Sequence, residues 1–200
     1  MRYGRGHKDE ARRRLIAAAG RGFRRAGYGG IGVDGLAKAA DVTSGAFYGH
    51  FASKEAAFDA VVAEGLNTLR ASILDHRRRF GAGWVAPYVD RYLGEKRLCD
   101  LGEACALQAL SAEVSRAGAS TQTTFAEHFA GAAKAAAEGL QGRSAGERLQ
   151  RAYALLAILS GSVTLARAVG EPGAGGRIAA GVRKAALAIA EGRLAQVEAD

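Results

Sequence analysis

Between Phe58 and Ile73 the residues Phe58, Val61, Val62, Gly65, Leu66, Leu69 and Ile73 recur every three to four positions. That spacing lines one face of an α-helix for about four turns and fits no single face of a strand. The same period returns upstream in Leu15, Ala19, Phe23 and Ala26, with Gly22, on a helix from about Asp9 to Arg25 that Gly27 would stop. Composition reinforces the pattern. Alanine supplies 45 of the 200 residues, and proline occurs only as Pro87 and Pro172. Alanine is the best helix former and adds little β-propensity. The chain is therefore expected to be all-α.

The rest of the chain divides in the same way. Arg77 to Gly83 reads as a basic linker, and Pro87 suits the first turn of a fifth helix. A sixth helix runs from about Glu103 to Ala117. A seventh is capped by Ser120 or Thr121, and an eighth runs from about Glu147 to Val169. Gly170 to Gly176 reads as a break before a last helix carrying Ile178, Val182, Ala185, Ala186, Ile189 and Leu194. The total is about nine helices.

Several classes are set aside by short arguments. The first 14 residues are basic and lack an apolar stretch, so no secretory signal is expected. The longest uncharged, mostly apolar run, Ala152–Ala166, has 15 residues. A bilayer span takes about 20, so the run suits a buried helix and no membrane partner is expected. Cys99 and Cys105 cannot build a disulfide framework. On one helix, six positions apart, their Cα atoms would lie roughly 9 Å apart, beyond the roughly 7 Å that a disulfide tolerates. A reducing cytoplasm is the simplest compartment. The chain holds no Ser/His/acid set, no Cys/His metal spacing and no glycine-rich phosphate loop, and His7, His50, His76 and His128 are scattered. No enzyme activity, metal or cofactor is expected.

The formal net charge is +8, from 28 Lys and Arg against 20 Asp and Glu. Eleven of the basic and four of the acidic residues lie at or before Lys54, which leaves +7 there and +1 on the remaining 146 residues. Such asymmetry points to a polyanion-binding module on a near-neutral body. A solvated tail would give the same count, but here the basic residues interleave with an apolar helical pattern.

Within that segment Val33, Leu36, Ala37 and Ala40 pattern a short second helix. Asp41-Val42 connects it to a third, N-capped by Thr43, whose buried face is Ala46, Phe47 and Phe51. Ser53 caps the long fourth. Two short helices joined by a tight turn and followed by a long one read as a helix-turn-helix.

The Gly27-Tyr28 pair, Val33 through Ala40, the turn Asp41-Val42-Thr43, and Phe47-Tyr48-Gly49-His50-Phe51 followed by Ser53-Lys54-Glu55 resemble the DNA-binding region of the TetR/AcrR family of transcriptional regulators. The resemblance implies an N-terminal three-helix DNA-binding domain, residues 9–55, and a ligand-binding and dimerisation bundle, residues 56–200. It also implies a homodimer, a double-stranded DNA operator and repression relieved by a small-molecule inducer. Gly32 stands where the family often has Ser or Thr, and Ser44 where it often has a basic residue.

By physical role, Thr43 and Ser44 offer hydroxyls and the N–H groups of a helix start toward DNA. Gly45 permits close approach. Tyr48 and His50 lie on the exposed side, and Tyr28 and Lys54 flank the groove at phosphate. A half-buried packing aromatic is the other reading of Tyr48, and an exposed polar residue that of His50. Arg2, Arg5 and Lys8 suit either an arm in the minor groove or a solvated tail.

In the body, Trp84, Tyr88, Tyr92, Phe125, His128, Phe129 and Tyr153 collect most of the aromatics and are first of all core residues. Tyr92, Gln108, Phe125 and Phe129 are the expected pocket residues. The stretch Glu103 to Leu110 resembles a Cys-containing sixth helix in one branch of the family, some members of which sense electrophiles or oxidants. Cys105 is then either a sensor or a buried structural thiol. The small residues Ala157, Ser160, Gly161 and Ala166, with Ala179, Ala180, Ala185 and Ala186, permit close helix approach. They serve either a homodimer through the last two helices or packing within one chain. The function expected is a ligand-responsive DNA-binding repressor. The alternative is an all-α small-molecule-binding or scaffold protein without specific DNA binding.

Overall fold

The computed structural model describes residues 4–193. Arg2 and Leu194 lie outside the described residues, as do the side chains of Arg5 and Lys8. Among the described residues the regular structure is nine α-helices and two short 3-10 turns, with no strand. The helices are α1 (Gly4–Gly30), α2 (Val33–Ala39), α3 (Ser44–Tyr48), α4 (Lys54–Phe80), α5 (Val85–Leu98), α6 (Ala106–Val114), α7 (Ala119–Ala137), α8 (Ala145–Ala168) and α9 (Pro172–Glu191). They form two compact units. One takes the residues up to Asn67 with Asp100–His128, and the other takes Thr68–Cys99 with the residues from Phe129 onward.

In the first unit, Leu15, Ala19 and Phe23 of α1, Leu36 and Ala37 of α2, Phe47, Phe51 and Phe58 are buried together with Leu107 and Leu110 of α6. Fully burying each large side chain contributes roughly 1.5–3 kcal/mol, which holds these short helices where their own propensity could not. Gly27 breaks α1 with φ +74°, a conformation that a Cβ penalises. A Cβ there would also stand 2.9 Å from Glu113 Oε1. At the other end of α6, Gly65 lets α4 come against Ala106.

In the second unit, Trp84 is buried just before α5, and Tyr88, Val89 and Tyr92 of α5 pack with Leu155, Leu156, Leu159 and Val163 of α8 and with Ala186 and Ile189 of α9. Trp84 Nε1 donates to Gly139 O at 2.9 Å. By length and composition α8 could cross a membrane. Its buried leucines instead form this core, and Arg167 near its end donates to Lys96 O and Cys99 O.

Several boundaries differ from the periodicity. Helix α4 does not stop at Ile73 but runs through Arg77, Arg78 and Arg79 to Phe80, because cations are favourable at a helix C-terminus. Helix α9 begins at Pro172, so the break is confined to Val169, Gly170 and Glu171, and Gly173 to Gly176 are helical. Proline at the first helical turn starts what the glycines would otherwise resist. Helix α6 begins at Ala106, not Glu103. Asp100 accepts from Gly102 N and closes a 3-10 turn over Leu101–Glu103 instead, leaving Cys105 as the extended N-cap. Cys99 and Cys105 therefore do not share a helix, and both are free thiols.

Candidate nucleic-acid interface

The turn between α2 and α3 is set by local chemistry. Asp41 takes φ +55°, which Asp tolerates better than most side chains. Val42 N then donates back to Ala37 O. Thr43 Oγ1 accepts from Ala46 N at 3.1 Å and caps α3, worth about 1 kcal/mol. Gly32 caps α2 with no side-chain hydrogen bond. Ser53 Oγ accepts from Ala56 N at 3.0 Å and starts α4.

The expected DNA-facing residues divide three ways. Thr43, Gly45 and Tyr48 are exposed, Tyr48 to 56%. Ser44 is half-buried, and its Oγ donates to Asp34 Oδ1 at 2.5 Å, tying α3 to α2. His50 is half-buried and its Nδ1 lies inside with no hydrogen-bond partner. Ala46, expected on the buried face, is exposed. Phe47 and Phe51, four positions apart, set the inward direction, and Ala46 lies about 100° from Phe47 around the axis.

Tyr28 and Lys54 form a pair of their own. Tyr28 stacks on Phe23 at 5.9 Å and tilts against Phe58 at 5.0 Å. The Lys54 ammonium stands 4.4 Å from the centre of the Tyr28 ring, a cation–π contact of about 0.5–1 kcal/mol. Burial raises the phenol's pKa, helped by the carboxylates of Glu55 and Asp59.

Two contributors were missed by sequence reasoning. The Arg12 guanidinium lies 5.2 Å over the Phe51 ring, beside exposed Arg13 and Arg14. Only the fold brings Arg12 to the end of α3. Asp34 holds Ser44 across ten positions of sequence. Other basic residues of the N-terminal segment are engaged elsewhere. Arg25 grips Asp100 with both Nε and Nη2, at 3.1 and 2.7 Å. Arg24 Nη1 donates to Gly102 O at 3.3 Å. Burial lowers the pKa of Arg24, opposed by electrostatic interaction with Cys105 and Glu103.

No curated protein matches the chain. Residues 15–61 match the model of the tetR family of bacterial regulatory proteins. The match covers 47 of the 200 residues, all toward the N-terminal end. Solved structures extend the likeness to the whole fold. The reduced form of NemR from E. coli is 21% identical, with a TM-score of 0.73 over 88% of this chain and 96% of its own. A transcriptional regulator of the tetR family from Cytophaga hutchinsonii is 16% identical, with a TM-score of 0.75 over 92% and 96%. One from Legionella pneumophila is 19% identical, with a TM-score of 0.73 over 86% and 93%. The chain thus shares the fold of these regulators, with a helix-turn-helix formed by α2 and α3.

The expected ligand residues fall in both units. Cys105, Gln108 and Phe125 are half-buried in the first, while Tyr92 is buried and Phe129 half-buried in the second. Phe129 lies 5.5 Å from Tyr153. A cavity of about 570 Å³ in the second unit is lined by Leu74, Arg77, Arg78, Glu138 and Leu140, and none of the five expected residues lines it. Among the described residues no three His, Cys, Asp or Glu side chains group to hold a metal ion.

Proposed function

We propose that the chain is a cytoplasmic, homodimeric transcriptional repressor. Residues 9–55 bind a double-stranded DNA operator. A small molecule or a reactive electrophile acts on residues 56–200 and releases it. The role is regulatory rather than enzymatic. The observation that carries the reading is that the segment holding nearly all the excess charge folds as a tetR-type helix-turn-helix with α3 exposed.

In a dimer the two α3 helices would reach successive major grooves about 34 Å apart. Tyr28, Thr43, Lys54 and the Tyr48 hydroxyl are the phosphate and groove contacts in this reading, with His50 and Ser44 behind them. The dimer forms through α8 and α9. The outward side of α8 leaves Tyr153, Ala154, Ala157, Gly161, Leu165 and Val169 exposed, a stripe at helical spacing suited to a second copy.

Cys105 is the trigger for an electrophile. It is half-exposed at the N-cap of α6 and close enough to Arg24 to interact electrostatically with the guanidinium. NemR was solved in a form described as reduced. Addition forms a C–S bond from the thiolate, and the electrophile then takes a proton from water. The added bulk lies next to the tight Gly65–Ala106 approach, where α6 has little room. Release is a population shift, so the modified protein must favour the non-binding state.

One experiment tests both levels. The purified protein is titrated onto DNA upstream of its own coding region across a salt series, with and without N-ethylmaleimide. A specific complex with steep salt dependence is expected, because each phosphate contact adds close to one unit to the log–log slope. No specific complex at any salt overturns the regulator. The alkylated wild type and Cys99→Ser should release DNA while Cys105→Ser holds it. Equal release by all three removes the thiol trigger.

A further inference from the structure

The residues Ser44–Tyr48 of α3 include no Arg, Lys, Asn or Gln. Those are the side chains that read guanine or adenine through paired hydrogen bonds in the major groove. Of the two hydroxyls at its start, Ser44's proton is committed and Thr43's oxygen caps the helix, which leaves Thr43's proton for a phosphate. Thr43 Oγ1 accepts from Ala46 N, and Ser44 Oγ donates to Asp34 Oδ1.

Apart from the Tyr48 hydroxyl, what α3 presents is apolar. Phe47 is fully buried and fixes the inward direction. At about 100° per residue the opposite side is centred on Gly45 and Gly49, with Ala46 and Tyr48 flanking them. All four are exposed. Val42, one residue before the cap, is also exposed, at 37%. A methyl group on one flank and a ring on the other thus face water, with a branched aliphatic side chain exposed just before the cap. Two glycines at the centre let the backbone come close to base edges. The apolar group that the major groove offers in return is the C5-methyl of thymine.

We infer that this chain reads its operator through thymine methyl groups. Ala46 and Tyr48, on the two flanks of the exposed side, are the contacts, with Val42 exposed just before the cap, and Ser44 is a positioning residue held by Asp34 rather than a base reader. The inference rests on the DNA-binding function proposed above and names what that site recognises.

The test begins with duplexes selected from a random pool by the full-length protein. In the best duplex each thymine is replaced singly by deoxyuridine and each guanine by 7-deazaguanine. At least one thymine in each half-site should cost about fourfold in affinity on losing its methyl, equivalent to about one buried methylene. The guanine replacements should be neutral. In Ala46→Gly the deoxyuridine penalty at one such position should vanish. If that variant fails to fold, the base scan with wild type still decides. Ser44→Ala should lower affinity for all duplexes together and leave the selected sequence unchanged. A changed preference would make Ser44 a reader and overturn its positioning role. Enrichment of a sequence that tolerates every deoxyuridine but not 7-deazaguanine overturns methyl readout while leaving DNA binding intact. Retention of no duplex at any salt overturns DNA binding itself.

Discussion

Tyr28 is enclosed on the Phe23 and Phe58 sides and capped by Lys54. Its phenol has a folded pKa above the unfolded value, chiefly through burial. The neutral form is therefore the one the fold stabilises. That contribution is complete below the unfolded pKa of about 10 and is lost as pH rises through the folded value. At neutral pH the hydroxyl is protonated and able to donate to a phosphate. Tyr28→Phe keeps the stacking and the Lys54 contact, so its stability should stay within about 0.5 kcal/mol of wild type. Its DNA affinity should fall about three- to tenfold, the loss of one hydrogen bond. Tyr28→Ala should instead lower the denaturation midpoint clearly, because it opens the cluster. A Phe variant that binds DNA as tightly as wild type would make Tyr28 a packing residue only. Gly27-Tyr28 is legible in sequence as a helix stop followed by an aromatic. Its neighbours are not, since Phe23 and Phe58 lie on two different helices.

Elements were legible wherever an apolar stripe and a cap coincide. The Thr43 cap, the Ser53 cap and the Gly27 break are local events, and each follows from one side chain or one missing Cβ. The end of α4 and the start of α9 were misplaced because Arg77–Arg79 and Gly173–Gly176 were weighed as loop composition rather than by their place on a helix. Contacts between distant elements carry no such signal. Arg183 on α9 reaches Asp90 on α5, with Nε 2.5 Å from Oδ1 and Nη2 3.1 Å from Oδ2. Hydrogen bonding from Arg183 holds the Asp90 carboxyl below its ordinary range. A depressed folded pKa stabilises above the unfolded value of about 3.9, and that contribution is lost as pH falls through the folded value. Both side chains are about half exposed, so screening keeps the effect small. Asp90→Asn should lower Tm by about 2 °C at most at neutral pH and low salt. The gap should narrow in 1 M salt and close in strong acid. A gap that persists unchanged in strong acid would assign the effect to packing.

At the scale of the whole molecule, the charge asymmetry and the all-α composition were both readable, because each sums over many residues. The use of the small residues on α8 and α9 was not, since the same composition serves packing within a chain and between chains. The structure divides them. Ala186 is buried and Ala166 half-buried, while Ala157, Gly161 and Ala180 remain exposed. The exposed set on α8 continues into Leu165, which is 59% exposed. A monomer should tolerate arginine there, because substitutions at such surface positions usually change stability by less than about 0.5 kcal/mol. In the proposed dimer the same change would bury a guanidinium beside its symmetry mate without a partner. Wild type should therefore sediment as a dimer, and Leu165→Arg as a monomer of unchanged helical content. The monomer should also bind operator at least about tenfold more weakly, because its two half-sites are no longer engaged by linked modules. A Leu165→Arg protein that still sediments as a dimer would remove this stretch of α8 from the interface, and one that is monomeric yet binds operator undiminished would show that recognition does not require two copies.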